Sequence, residues 1–205
     1  MIDDGILKSL KALLYHLSKT GISFDDQFTM KDWNRLQLAT HPYPSLTPAL
    51  KEALQRVEPV GEGSLTYWPC EVLTKAGEWI DCVYLAKADE WYPIWGVWPG
   101  QDTGKYQLSV DQIADLRESP CRLPARFANE IYAAGESGMG YTLFEIEFND
   151  GSRVAYGNGN AIDFITYPPG KTGAQIVAVH PHAGRQSPHP YMPPKYYWCL
   201  FSGDN

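Results

Sequence analysis

The apolar positions of this chain follow a helical period early on and a strand period afterwards. Over residues 6–18 they recur at Ile6, Leu7, Leu10, Leu13, Leu14 and Leu17, which places them on one stripe of an amphipathic helix. Asp3 or Asp4 is positioned to cap that helix, and Gly21 follows its end. A second helix is predicted over Met30–Leu38, before His41-Pro42-Tyr43-Pro44 breaks the chain. A third starts at Thr47-Pro48, because Thr is a good N-cap and Pro is tolerated at the first helical position. It is predicted to run to about Val57, with Pro59 and Gly61 ending it.

Two stretches then read as hairpins, Trp68–Tyr84 and Tyr141–Tyr156. In the second, a three-residue loop Asn149-Asp150-Gly151 puts Gly151 in the left-handed position of a bulged turn. Phe144 then faces Tyr156, Ile146 faces Val154 and Glu147 faces Arg153, giving one apolar face and one opposite-charge pair. The same rule applied to Lys75-Ala76-Gly77 sets Val72 against Ile80, Cys70 against Cys82 and Trp68 against Tyr84. It also sets Glu71 against Asp81, a like-charge pair that disfavours the sheet unless another group compensates it.

Between the hairpins, Trp91–Trp98 is expected to form a strand with an aromatic edge, Ser109 with Gln112 to cap a short helix Val110–Glu118, and Pro124 to open a helix closed by Gly135. After the second hairpin come a turn at 157–160, the segment Ala161–Tyr167, a strand Ile176–His180, a Pro-rich tail and a strand Tyr196–Phe201. The resulting fold class is α+β: a mostly antiparallel sheet built from hairpins, with the N-terminal helices and short helices packed on one face. No long linker divides the chain, so residues 1–205 read as one domain, helical over 1–60 and β-rich over 61–205.

Composition supports a packed globular core: 44% of residues are hydrophobic and 20% charged. No apolar run has the length of a membrane span, and the N-terminus lacks the basic and apolar regions of a secretory signal. These features predict a cytoplasmic protein without membrane contact. The net charge of −7 is concentrated in residues 61–150, which carry six basic and fifteen acidic side chains. That balance opposes nucleic-acid binding, which needs a basic footprint, and suits a basic protein partner.

Several motifs fall short of their chemistry. Gly170-Lys171-Thr172 lacks the upstream Gly of a phosphate loop, since position 165 is Ile165. Gly157-Asn158-Gly159 lacks the third Gly of a dinucleotide fingerprint, since position 162 is Ile162. Gly135–Met139 lacks the last Gly of a nucleophile elbow. No cofactor is therefore predicted. Cys70, Cys82, Cys121 and Cys199 have no Cys-x-x-Cys spacing, which argues against a structural zinc site; in the cytosol they are expected to be reduced and to pack as small apolar residues.

Two constellations remain. His180-Pro181-His182, with His189 nearby and Asp163 upstream, could supply metal ligands, because residues at i and i+2 of a strand share a face. Ser137 paired with one of these histidines is the hydrolytic version of the same idea. The other constellation is aromatic and acidic: Glu71 and Asp81 with Trp79, and Asp89 and Glu90 with Trp91. Exposed aromatics ringed by carboxylates suit a hot spot for a basic partner, although at least half of the tryptophans are expected in the core.

The small size and acidic charge resemble those of bacterial immunity proteins in general. The resemblance implies a non-enzymatic protein-binding protein of the immunity or antitoxin kind, a toxin inhibitor that occludes a basic partner. The alternatives are a small metal-dependent or hydrolytic enzyme using the His180/His182 region and a structural subunit that forms homodimers through its aromatic edge.

Overall fold

The computed structural model describes residues 29–62, 65–159, 162–187 and 191–203. The helix expected over 6–18, the step from Asn160 to Ala161 and His189 lie outside the described residues. The first described helices form where capping dictates. Helix α1 (Met30–Thr40) opens with a reciprocal cap between Thr29 and Asp32. Helix α2 (Pro48–Leu54) opens with the Thr47 hydroxyl accepting the Leu50 N–H, and a turn carries the chain on to Val57.

Strands β1 (Val60–Glu62), β2 (Leu65–Thr74) and β3 (Trp79–Lys87) follow. Gly77 takes φ +87° in the β2–β3 turn, and Val72 pairs with Ile80 as the loop rule predicts. Past that point the register differs from expectation. Cys70 pairs with Val83 rather than Cys82, and Trp68 pairs with Leu85 rather than Tyr84. Asp81 and Cys82 together occupy the space opposite Glu71, which is the geometry of a β-bulge.

Residues 91–98 do not form the expected strand. Ala88–Trp95 is helix α3, with Asp89 and Glu90 in its first turn and Gly96 at φ +64° closing it. The apolar positions 88, 91, 92 and 95 have helical spacing, acids at the N-terminus complement the helix dipole, and a left-handed Gly stops the helix. The short helix expected over 110–118 is also corrected. Ser109 caps a single 3-10 turn, Val110–Gln112. After the short strand β4 (Tyr106–Gln107) and this turn, Ile113–Glu118 is strand β5, paired with β2. The buried residues Val110 of the turn and Ile113 and Leu116 of the strand have a spacing of three that imitates a helix. The imitation arises because Ala114 is an extra residue where the pairing shifts between Leu73 and Thr74.

Pro124 precedes helix α4 (Ala125–Ala134), and Gly135 closes it as predicted. Strands β6 (Thr142–Phe148) and β7 (Arg153–Asn158) form the second hairpin in the expected register, including Phe144 opposite Tyr156 and Glu147 opposite Arg153. Strand β8 (Ile176–Pro181) pairs with the free side of β6, and strand β9 (Tyr197–Phe201) joins the first sheet.

The α+β expectation therefore holds, with sheet predominant, in two sheets. The larger has six strands in the order β1-β2-β3-β9-β4, with β5 beside the far half of β2. It is mixed, because β9 runs parallel to both β3 and β4. Helix α2 covers one face, packing Leu50, Ala53 and Leu54 on Val72, Val83, Leu85 and Cys199. Helix α3 and Phe164 cover part of the other face, over Tyr67, Tyr84, Trp198 and Leu200. Strand β9 alternates between these two cores. The smaller sheet, β7-β6-β8, buries Phe144, Ile146 and Phe148 against α4. The connection 119–124 ties the sheets together: Leu123 N–H donates to Asp163 O at 2.7 Å, and Ile165 N–H to Cys121 O at 2.9 Å. No helix among the described residues is long and apolar enough to cross a membrane.

Candidate functional site

The uncovered half of the larger sheet carries the first acidic and aromatic group. Because Cys70, Val72, Val83 and Leu116 point into the α2 core, their neighbours Glu71, Leu73, Trp79, Asp81, Asp115 and Arg117 lie on the opposite face. The like-charge opposition of Glu71 and Asp81 is relieved in two ways. Arg117 of the edge strand β5 sits directly across from Glu71 and donates to its Oε2 from Nε at 2.6 Å. Asp81 is turned by the bulge so that its Oδ1 accepts the Ser119 hydroxyl at 2.5 Å and the Cys82 N–H at 2.6 Å. The Arg117 guanidinium also lies 3.9 Å from the centre of the Trp79 ring, a cation–π contact.

The bulge has a second consequence. Cys82 takes φ +59°, a left-handed conformation that favours glycine. Its thiol is turned toward Cys121, and the ligand atoms of Asp81, Cys82 and Cys121 all lie within 4.8 Å of one another. Ser119 Oγ accepts the Cys121 N–H at 3.1 Å while donating to Asp81. Burial, reinforced by Asp81, pushes the Cys82 thiol far up and the Cys121 thiol up to about 11. Both are therefore neutral thiols at ordinary pH and poor nucleophiles. From the sequence these cysteines are expected to pack as small apolar residues. No motif spacing marks them, because they sit on different elements.

The second acidic group is dispersed. Glu90 bonds Lys87 at 2.8 Å and the Thr66 N–H at 3.0 Å. Trp91 is fully buried, stacked on Trp95 and edge-on to Trp198, so it belongs to the core and not to an interface. Asp89 is exposed at the start of α3 and lines a cleft of about 290 Å³ with Leu38, His41, Tyr43 and Ser202.

Among the described residues, His180, His182 and Asp163 do not come together as ligands of one ion. His180 Nε2 pairs with Glu147 Oε2 at 2.9 Å, and the two partners His180 and Arg153 hold the Glu147 carboxyl below its usual range. Asp163 has no exposed surface, and its Oδ2 accepts the hydroxyls of Tyr84 at 3.0 Å and Tyr132 at 2.6 Å. Burial raises its pKa against the opposing effect of those two bonds. Among the described residues, the Asp81, Cys82 and Cys121 group is the one cluster in which three such ligands come within reach of a single ion.

His182 does meet Ser137, with Nδ1 2.9 Å from Oγ and its Nε2 3.1 Å from Ala134 O. The same Oγ accepts the Leu143 N–H at 2.8 Å and lies 3.2 Å from Leu143 O. The serine is thereby committed to a backbone clasp that ties the loop after α4 to the start of β6. No known family model, curated protein or solved structure matches this chain.

Proposed function

We propose that this chain is a non-enzymatic protein-binding protein of the immunity or antitoxin kind, which acts by occluding a basic partner. The observation that carries the reading is the uncovered half-face of the larger sheet. Trp79, 37% exposed, stands there beside Leu73 and against the Arg117 guanidinium, with Asp81 and Asp115 on the same face and Glu71, 8% exposed, held in its ion pair with Arg117. Glu78 and Asp111 border it, both exposed and both without an ion-pair partner among the described residues. A large aromatic with a ring of carboxylates supplies desolvated contact at the centre and long-range attraction at the rim. The bond from Lys75 N–H to Gln112 O at 2.7 Å holds the hairpin turn against the 110–112 turn, so Glu78 and Asp111 border the same end of the sheet. Pre-organisation of this kind lowers the ordering cost of association.

The hydrolytic alternative is supported by the Ser137–His182 contact, and it is weakened by the serine's bonds to Leu143, which occupy the hydroxyl that would have to attack.

The test is isolation of the native complex followed by titration with variants. A basic protein in stoichiometric amount is the expected find. Trp79→Ala should weaken its binding roughly 30-fold or more, the size of a hot-spot truncation. Glu78→Lys with Asp111→Lys should slow association and flatten its dependence on salt. Recovery of the chain with no basic protein, or binding indifferent to all three changes, would overturn the reading.

A further inference from the structure

We infer that Asp81, Cys82 and Cys121 form a binding site for a thiophilic divalent cation of the zinc class, an inference that does not rest on the proposed protein-binding role although Asp81 lies on the same face. Three independent observations converge on it. The first is composition and distance. Two thiol sulfurs and a carboxylate oxygen lie within 4.8 Å of one another, close enough to share one tetrahedral ion. Sulfur ligands select zinc-like ions over magnesium or calcium.

The second is backbone strain. Cys82 stands at φ +59° in a β-bulge, where glycine would be at ease. A bulge re-aims a side chain, and here it aims the Cys82 sulfur toward Cys121 and Asp81. Strain held at one residue in an otherwise regular hairpin points to a use for that residue's side chain.

The third is the supporting shell. The Ser119 hydroxyl and the Cys82 N–H both donate to Asp81 Oδ1, at 2.5 Å and 2.6 Å, which fixes the carboxylate. Ser119 Oγ also accepts the Cys121 N–H, so one hydroxyl orients two of the three ligands. This is the outer-shell bonding that accompanies metal ligands.

When the ion binds, each thiol releases its proton to solvent as its sulfur–metal bond forms. Three protein ligands leave one position of the tetrahedron for water or another molecule's donor atom. Cys121 and Asp81 are partly exposed and provide the entry side, whereas Cys82 is 4% exposed. A bound ion would join β3 to the 119–124 connection and so brace the junction of the two sheets.

The test uses the full chain, reduced and stripped of metal by a chelator, titrated with Co²⁺ under anaerobic conditions. The expected result is saturation at about one ion per chain, with thiolate-to-metal charge-transfer absorption in the near ultraviolet that Zn²⁺ abolishes by displacement. Cys121→Ser, at a half-buried position, should remove that absorption while far-ultraviolet circular dichroism stays unchanged. Ser119→Ala keeps all three ligands and should weaken Zn²⁺ binding roughly 10–100-fold. A folded, reduced protein without charge-transfer absorption would overturn the inference. So would absorption of unchanged strength after both Cys82→Ser and Cys121→Ser, since it would then come from the buried Cys70 and Cys199.

Discussion

Replacement of Tyr132 by Phe tests the buried carboxyl at the junction of the two sheets. Asp163 is fully buried, and its Oδ2 accepts two phenolic hydroxyls, the shorter bond at 2.6 Å coming from Tyr132. Its Oδ1 has no partner among the described residues, and the nearest favourable charge is the buried Arg122. Tyr132→Phe removes one hydroxyl and leaves the ring. The loss of a hydrogen bond to a charged, buried acceptor costs about 1.5–3 kcal/mol. With a guanidinium dependence of about 4 kcal/mol per molar for a chain of this size, the unfolding midpoint should fall by roughly 0.4–0.8 M.

The pH dependence of this loss has a definite sign. The folded pKa of Asp163 lies above its ordinary value of 3.8 because of burial, and the Tyr132 bond opposes that rise. A carboxyl shifted in this direction contributes stability that is lost as pH climbs from the unfolded pKa through the folded one. Removing Tyr132's hydroxyl lifts the folded pKa further. The deficit of the variant relative to the parent should therefore be smallest below that window and grow as pH rises through it. Tyr167→Phe is the control, because that hydroxyl donates to the neutral Arg122 carbonyl at 2.6 Å. Its deficit should be about 1 kcal/mol and independent of this titration. A Tyr132→Phe deficit under about 0.5 kcal/mol at neutral pH, or one that shrinks as pH rises, would refute the reasoning.

The bulge yields two further predictions. Cys82→Gly should be more stable than Cys82→Ala by about 1 kcal/mol in thermal or chemical unfolding, because only glycine accepts φ +59° without a Cβ penalty. Equal stability would mean that the backbone at Cys82 relaxes freely. Cys121, with its thiol raised to about 11 mainly by burial, should react with iodoacetamide at pH 8 roughly a hundredfold more slowly than an unperturbed cysteine, and faster as pH rises. Mass spectrometry of the labelled peptide reads both rate and site, and rapid labelling at pH 8 would contradict the assigned environment.

The two hairpin turns were legible because Gly77 and Gly151 sit where a three-residue loop demands a left-handed residue, and that requirement sets the register. Helices α2 and α4 were legible from Thr47-Pro48 and from Pro124 with Gly135. The errors came from local patterns with two readings. The aromatic residues Trp91, Tyr92 and Trp95 suit a strand by type, but their spacing, the acids before them and Gly96 after them suit a helix, and that helix packs its aromatic face on Trp198. The bulges at Cys82 and Ala114 shift side chains by one position, and no residue type announces them. The acidic face was half legible. Glu71, Asp81 and Trp79 follow from one hairpin, but Arg117, Ser119 and Cys121 reach them through the pairing of β5 with β2 and the chain that follows it, which sequence spacing does not encode.

The position of strand β9 bears on how the chain is made. It pairs in parallel between β3 and β4, and its partner Leu85 lies more than a hundred residues upstream of Cys199. Parallel pairing over such a separation requires a large loop to close before the contact is rewarded, which slows folding. During synthesis, β3 emerges with one edge bare and with Tyr84 and Leu85 lacking the Trp198 and Cys199 backbones they will pair with. The larger sheet therefore stays open until residues 197–201 have left the ribosome, and the nascent chain carries an unpaired, apolar strand edge for most of its elongation. An apolar edge of this kind is prone to aggregation until β9 closes it.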